Sequence, residues 1–284
     1  MGSRNVRQTE SQMLMPVNKI KKKCQNDKFY TKPEVAIECV SKLKRIVGYT
    51  PMTFIEPSAG SGAFSSLMNC FAFDLEPAAS GIFKQDFLQF SPSGSGLPIC
   101  FFGNPPFGER NSLTKAFTKQ AMSYRASKVI AFVLPMVFKK HTMQKLFPAN
   151  WSLVSTTDLP NDSFIFNGES YHVPCVFQIW EKDSSRQNLR EVPQPKETVD
   201  FAFVSKKDAD IFVFGAAPKK IVIPSDVSTT NRGYYLKSKI DVDELCDRIR
   251  SVDWKSYAAS SVNGGVAWFS KDEFVKSYNL THGI

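Results

Sequence analysis

Four short and almost uninterrupted apolar runs follow one another in the first half of this chain: Met52–Ile55, Phe71–Leu75, Ile99–Phe102 and Val129–Leu134. Runs of four to six apolar residues without polar alternation belong to strands buried on both faces, as in a parallel sheet. Segments with helical character separate or follow them at Ala63–Asn69, Ser112–Ser123 and Val137–Leu146. Strand, helix, strand in that rhythm predicts an α/β chain built on an open, doubly wound sheet. Trp151–Leu159 and Val173–Trp180 come next with no helix between them, which predicts an antiparallel hairpin at one edge.

A helix is also predicted ahead of the first strand. Thr31 is placed to cap it, Pro33 sits in its first turn where a missing N–H costs nothing, and Val35, Cys39, Leu43, Ile46 and Val47 recur at helical spacing until Gly48. Residues 1–28 carry Lys19, Lys21, Lys22 and Lys23 with little apolar periodicity and read as a basic, flexible arm. Past Trp180 the composition turns polar, with Pro193 and Pro195. Strands are expected at Phe201–Val204, Ile211–Phe214 and Lys220–Ile223, and helices at Val242–Ile249 and Lys271–Tyr278. The division expected is therefore arm 1–28, main domain 29–182, and linker with a small α+β appendage 183–284.

Composition narrows the class. Hydrophobic residues make up 42% and charged residues 22% of 284, which is globular and excludes wholesale disorder. No apolar run approaches the about 18 residues of a membrane span, and the polar, basic start has no apolar signal core, so an intracellular chain, cytoplasmic or nuclear, with no membrane partner is expected. The net charge of +9 favours a polyanionic partner, nucleic acid first. Six scattered cysteines without a CxxC pair fit reduced thiols, with no disulfide framework and no metal site.

Chemistry concentrates in four places. Glu56-Pro57-Ser-Ala59-Gly60-Ser-Gly62-Ala-Phe64 follows the first strand, and its glycines let the backbone turn sharply and approach a ligand. No Gly-Lys-Ser/Thr follows, so it is not a P-loop, and two spaced glycines fall short of the dinucleotide fingerprint. Asp74 ends the next strand about 20 residues on, where an acidic side chain can accept from ribose hydroxyls, with Glu76 competing for the role. Asp86-Phe87 ends a third strand; the carboxylate can accept from an adenine amino group while the ring packs beside it, and a plain helix-capping Asp is the other reading. Fourth is Asn104-Pro105-Pro106-Phe107, at the end of the fourth strand. Two prolines offer no N–H, so the Pro105 carbonyl can be held beside the Asn104 amide oxygen. Two such acceptors suit an exocyclic NH₂, and Phe107 supplies a flat apolar face for the ring that carries it.

With these residues the chain resembles the amino-methyltransferases that use S-adenosylmethionine, in particular the N6-adenine family with its Asn/Asp-Pro-Pro-Phe/Tyr/Trp tetrapeptide. The order, with the Phe29-Tyr30-Thr31-Lys-Pro33 segment first, then glycine loop, then catalytic loop, is similar to the γ arrangement of DNA adenine methyltransferases. The resemblance spans Phe29 to Trp180 and implies a class I, Rossmann-like methyltransferase sheet. It implies that Tyr30, Thr31 and Pro33 line the methionine end of the cofactor and that Glu56, Pro57, Ala59, Gly60 and Gly62 form its floor. Asp74 falls at the ribose, and Asp86 and Phe87 at the adenine. It further implies direct methyl transfer to the N6 amine of a flipped or unpaired adenine held by Asn104, Pro105, Pro106 and Phe107, with Phe164 or Phe166 as the opposite stacking face.

DNA is favoured over RNA, because the Tyr30 segment is like that of the DNA enzymes. RNA adenine methylation, protein-glutamine N5 methylation and a non-catalytic nucleic-acid-binding scaffold are the alternatives, and a partner subunit is left open. The tail departs from the family pattern, being far shorter than a recognition domain of this class. Cys175, despite its Pro-Cys context, is expected to be buried and inert, and His141 and His172 to be surface or satisfied core residues. Tyr234, Tyr235, Trp254 and Trp268 read either as base-stacking residues or as the core of the appendage.

Overall fold

The computed structural model describes residues 29–91, 96–192, 198–257, 262–263 and 266–284. The basic segment 1–28 and the two linker prolines lie outside the described residues. The chain divides into two units, one formed by residues up to Pro135 together with Ala149–Leu189, the other by Met136–Pro148 together with Arg190–Ile284.

In the first unit, β1 (Tyr30–Thr31) leads into α1 (Pro33–Val47). A seven-stranded sheet follows, made of β2 (Thr53–Glu56), β3 (Phe71–Asp74), β4 (Phe83–Lys84), β5 (Ile99–Gly103), β6 (Ser127–Pro135), β7 (Trp151–Asp158) and β10 (Cys175–Lys182), with α2 (Ser112–Ser123) between β5 and β6. Its order is β4-β3-β2-β5-β6-β10-β7. Neighbours from β4 to β6 are parallel, and β10 runs antiparallel to both β6 and β7. The doubly wound sheet and the antiparallel edge hairpin are therefore both present. The chain winds outward from β2 to β4 and then returns to lay β5 on the other side of β2. That reversal makes a crevice at the carboxyl ends of β2 and β5, where ligands of open α/β sheets sit.

Both faces of the sheet are covered. On one, Val35, Ala36, Cys39, Val40 and Leu43 of α1 pack against Cys100, Phe102, Val129, Ala131 and Val133. On the other, Phe87, Phe101, Phe117 of α2 and Tyr124 form linked ring contacts at 5.3–6.4 Å between centroids. Full burial of a phenylalanine side chain contributes about 1.5–3 kcal/mol, so this cluster anchors α2 to the sheet.

The structure corrects several expectations. Thr31 does not cap α1: Lys32 holds the N-cap position with no side-chain cap bond, Pro33 follows it in the first turn, and the Thr31 hydroxyl is engaged elsewhere. No helix spans Ala63–Asn69; the glycine turn runs into a single 3₁₀ turn, Ser65–Leu67. Buried Phe64 pins that segment, and the few residues left before β3 cannot offset the cost of helix nucleation. Val137–Leu146 likewise breaks into a 3₁₀ turn, Met136–Lys139, and α3 (His141–Gln144), split by the extended backbone of Lys140.

Two further strands, β8 (Phe164–Phe166) and β9 (Glu169–Tyr171), were not anticipated. They form a hairpin in the β7–β10 connection, and β8 pairs with β1 in the register Tyr30↔Ile165 and Thr31↔Phe164. Their apolar residues are too few for a periodicity signal, and a pairing partner more than 130 positions away leaves no local trace.

The second unit has its own four-stranded antiparallel sheet, in the order β11 (Phe201–Phe203), β14 (Gly233–Ser238), β12 (Ile211–Phe214), β13 (Ala217–Val222). Helices α4 (Val242–Ser251) and α6 (Lys271–His282) share a core with it that includes Phe201, Val213, Leu236, Leu245, Ile249 and Phe274. Trp254 belongs to that core, Tyr234 donates its hydroxyl to the Phe269 carbonyl at 2.7 Å, and Tyr235 packs on Phe212. Trp268 lies against Gly215, where an added Cβ would come within 2.6 Å of the indole. These aromatics serve the packing of the unit. Its α5 (Trp254–Tyr257) is a single turn. Among the described residues no helix is long and apolar enough to cross a membrane.

Candidate active site

The glycine turn is held from β3. Asp74 is nearly buried; its Oδ2 accepts from the Gly60 N–H at 2.7 Å and its Oδ1 from the Glu76 N–H at 2.8 Å. Gly60 has φ +53°, and an added Cβ would stand 2.9 Å from Cε1 of Tyr30, so the loop needs glycine there for two independent reasons. β1, far earlier in the chain than β3, is thereby laid over the turn. Beside it lies a cavity of about 310 Å³ whose lining includes Tyr30, Thr31, Pro33, Ser61, Gly62 and Ile165.

Glu56 closes β2 at 1% exposure, and its Oε2 has no hydrogen-bond partner among the described residues. Burial pushes the carboxyl up from 4.5 to about 8; hydrogen bonding to Ser65 pulls the other way, and the charge of Asp74 adds to the rise. A carboxyl held this way keeps its proton at neutral pH, and a neighbouring cation would favour its ionised form. Pro57 and Ala59 are buried in the same turn.

The catalytic-loop candidate leaves β5 through Gly103. The Asn104 amide nitrogen donates to the Thr31 hydroxyl at 3.1 Å and to the Phe29 carbonyl at 3.3 Å. A carbonyl can only accept, so the nitrogen end of the amide must face Phe29. Its oxygen, Oδ1, is buried and has no partner among the described residues. Neighbouring carbonyls are engaged: that of Asn104 accepts from the Ser58 hydroxyl at 3.0 Å and that of Pro106 from the Thr114 hydroxyl at 3.1 Å. Among the described residues the Pro105 carbonyl accepts no hydrogen bond. The loop thus offers two uncommitted acceptors flanked by committed ones.

Other expected residues fall less simply. Asp86 caps a 3₁₀ turn, accepting from the Leu88 N–H at 2.9 Å, which is the plain capping role. Phe87 is 1% exposed in the aromatic cluster beneath α2 and presents no face to a ligand in this conformation. Phe164 is fully buried and meets the half-buried Phe107 edge-on at 6.4 Å, so it packs the core and is not free to stack on a base. Phe166 is half-buried, in ring contact with Phe29 and Tyr171. Cys175 is buried, and burial drives its thiol pKa far up, as expected of an inert cysteine. His172 accepts from the Asp162 N–H, and His141 Nδ1 lies 3.0 Å from the Glu191 carbonyl. Among the described residues no group of three His, Cys, Asp or Glu side chains could hold a metal ion.

Three contributors carry no distinctive signal in the sequence. Ser58 is one serine inside the glycine motif. Thr114 looks like any helical threonine, and Phe29 acts through its carbonyl, which no side chain advertises.

No protein-family model matches this chain, and no curated protein does either. Among solved structures, a protein of Listeria monocytogenes described as a candidate class I S-adenosylmethionine-dependent methyltransferase is similar at 14% identity and TM-score 0.43. The match covers 57% of this chain and 64% of that protein, so the chain spans less than two thirds of its length. A candidate RNA methyltransferase of Pyrococcus horikoshii is similar at 13% identity and TM-score 0.37, over 59% of this chain and 99% of its own. At such values neither likeness bears on what the chain does.

Proposed function

We propose that this protein transfers the methyl group of S-adenosylmethionine to the exocyclic N6 amine of adenine in nucleic acid, with DNA ahead of RNA. The observation that carries the reading is Asn104: both hydrogens of its amide are taken and its buried Oδ1 has no partner among the described residues. With the Pro105 carbonyl next along the chain, the loop suits a donor with two hydrogens. The adenine lone pair is delocalised into the ring, so an amine bonded to both oxygens is drawn toward pyramidal geometry. Positive charge growing on nitrogen is then met by oriented dipoles.

The residues fit the cofactor. Glu56, an orphaned buried carboxyl, suits the methionine ammonium, and the cavity beside Tyr30, Thr31 and Pro33 suits the methionine end. Asp74, whose carboxylate holds the Gly60 and Glu76 N–H groups, stands at the strand end where ribose hydroxyls would fall. Bound there, S-adenosylmethionine would supply an electrophilic methyl for the amine, with the neutral thioether as leaving group and the surplus amine proton passing to solvent.

Charge favours a nucleic-acid substrate held partly from elsewhere in the chain. Residues 29–135 and 149–189 carry twelve basic and twelve acidic side chains, so the +9 comes from the arm and the second unit. That distribution supports phosphate contacts from those parts of the chain. A target inside a duplex would be flipped out at a cost of a few kcal/mol.

The test is transfer of a tritiated methyl group to matched duplex DNA, single-stranded DNA and RNA, followed by nucleoside mass spectrometry. N6-methyladenine in one of them is the expected result. Label confined to protein glutamine, or cofactor bound with no transfer to any nucleic acid, overturns the reading.

A further inference from the structure

We infer that Thr31 is a positioning residue whose hydroxyl, with the Phe29 carbonyl, uses up both hydrogens of the Asn104 amide and so makes the site select amine-bearing bases over their oxo counterparts. This rests on the adenine reading above and assigns the Thr31 hydroxyl a task additional to the residue's place in the cavity lining. A primary amide is ambivalent: one end accepts and the other donates. Turned over, Asn104 would aim N–H groups at the target and would suit a 6-oxopurine instead of an amine. Rejection by unmatched polar groups is the stronger kind of discrimination available to such a site.

The hold on the amide is itself built in. Thr31 is 5% exposed and sits in β1, paired through Thr31↔Phe164 with the β8–β9 hairpin. The Lys32 N–H donates to the Ser163 carbonyl at 3.0 Å just beyond that pair. Thr31 therefore presents its hydroxyl from a strand clamped at a fixed register, and Phe29 presents its carbonyl from the residue just ahead of that strand. A flipped amide would set its oxygen against the Phe29 carbonyl, acceptor to acceptor. The Thr31 hydroxyl takes the second hydrogen, so any rotation of the amide that aims an N–H at the target must break both bonds.

The experiment uses the full chain with Thr31→Val, which keeps the shape and removes the acceptor, and Thr31→Ser, which keeps the hydroxyl. Three quantities are read: the Asn104 side-chain amide pair in a ¹H–¹⁵N spectrum, assigned by its absence in Asn104→Ala; cofactor affinity; and the binding ratio of single-stranded oligonucleotides carrying adenine or hypoxanthine at one position. Thr31→Val is expected to shift the amide pair, leave cofactor affinity within about twofold, narrow the adenine preference about tenfold and lower kcat ten- to a hundredfold. Thr31→Ser restores all of these. An unmoved amide pair with an unchanged ratio overturns the inference, and so does loss of cofactor binding in step with transfer. A wild-type protein that methylates no nucleic acid while Thr31→Val still shifts the amide pair strikes the adenine reading and leaves the hold of Thr31 on Asn104 standing.

Discussion

Gly103 ends β5 at φ +120°, and a Cβ added to it would stand 3.0 Å from Cγ of Glu56. The buried carboxyl of β2 thus lies in the space a side chain on β5 would fill, one residue before Asn104. Gly103→Ala should lose about 1–3 kcal/mol of stability through backbone strain and the displaced Glu56. Denaturant melts read the loss. A variant as stable as the parent and fully active would mean that Glu56 can leave without consequence.

Glu56 also predicts a pH dependence. Its carboxyl titrates near 4.5 in the unfolded chain and at about 8 when folded, so the folded protein keeps a proton the unfolded chain has released. Stability from this group is full below about pH 4.5 and is lost as pH rises toward about 8. Glu56→Gln should therefore gain thermal stability over the parent, by a margin that widens between about pH 5 and 8 and then levels. Its affinity for S-adenosylmethionine should fall. Parallel melting curves at the two ends of that window would expose a normally titrating Glu56.

Asn104→Ala should abolish transfer while cofactor affinity, followed by titration calorimetry, changes little. Asn104→Asp is more informative. Its second carboxylate oxygen would face the Phe29 carbonyl at about the 3.3 Å now bridged by an N–H. Only the protonated acid can donate there, so residual activity should rise as pH falls. A flat pH profile for this variant would contradict the assigned amide orientation.

Asp74→Ala removes the acceptor for two backbone N–H groups, those of Gly60 and Glu76. An unsatisfied buried donor costs about 1–3 kcal/mol, so cofactor affinity should weaken about ten- to a hundredfold. The transfer rate at saturating cofactor should be far less affected. Equal losses in both would place Asp74 in the chemistry and not in the loop.

Much of this was legible in the chain. Continuous apolar runs specify doubly covered strands because each such residue must leave water on either face, and that alone announced β2, β3, β5 and β6 and the α/β class. α2 was read at its observed bounds, Ser112–Ser123. Glu56, Gly60, Asp74 and Asn104 were all singled out, since strand ends in an α/β sheet are local features.

What sequence could not decide is which of those groups is already spoken for. Asp86 and Asp74 are both acidic residues near strand ends, yet one caps a turn and the other ties down the glycine loop. Phe87, Phe107 and Phe164 are chemically identical, and only burial separates the two sealed in the core from the one at the loop. The partners of the Asn104 amide lie more than 70 positions away, on a strand positioned by a hairpin later still. Local patterning carries the elements because periodicity is a property of neighbours. A site is a set of unmet bonds, and whether a bond is met depends on the whole chain in space.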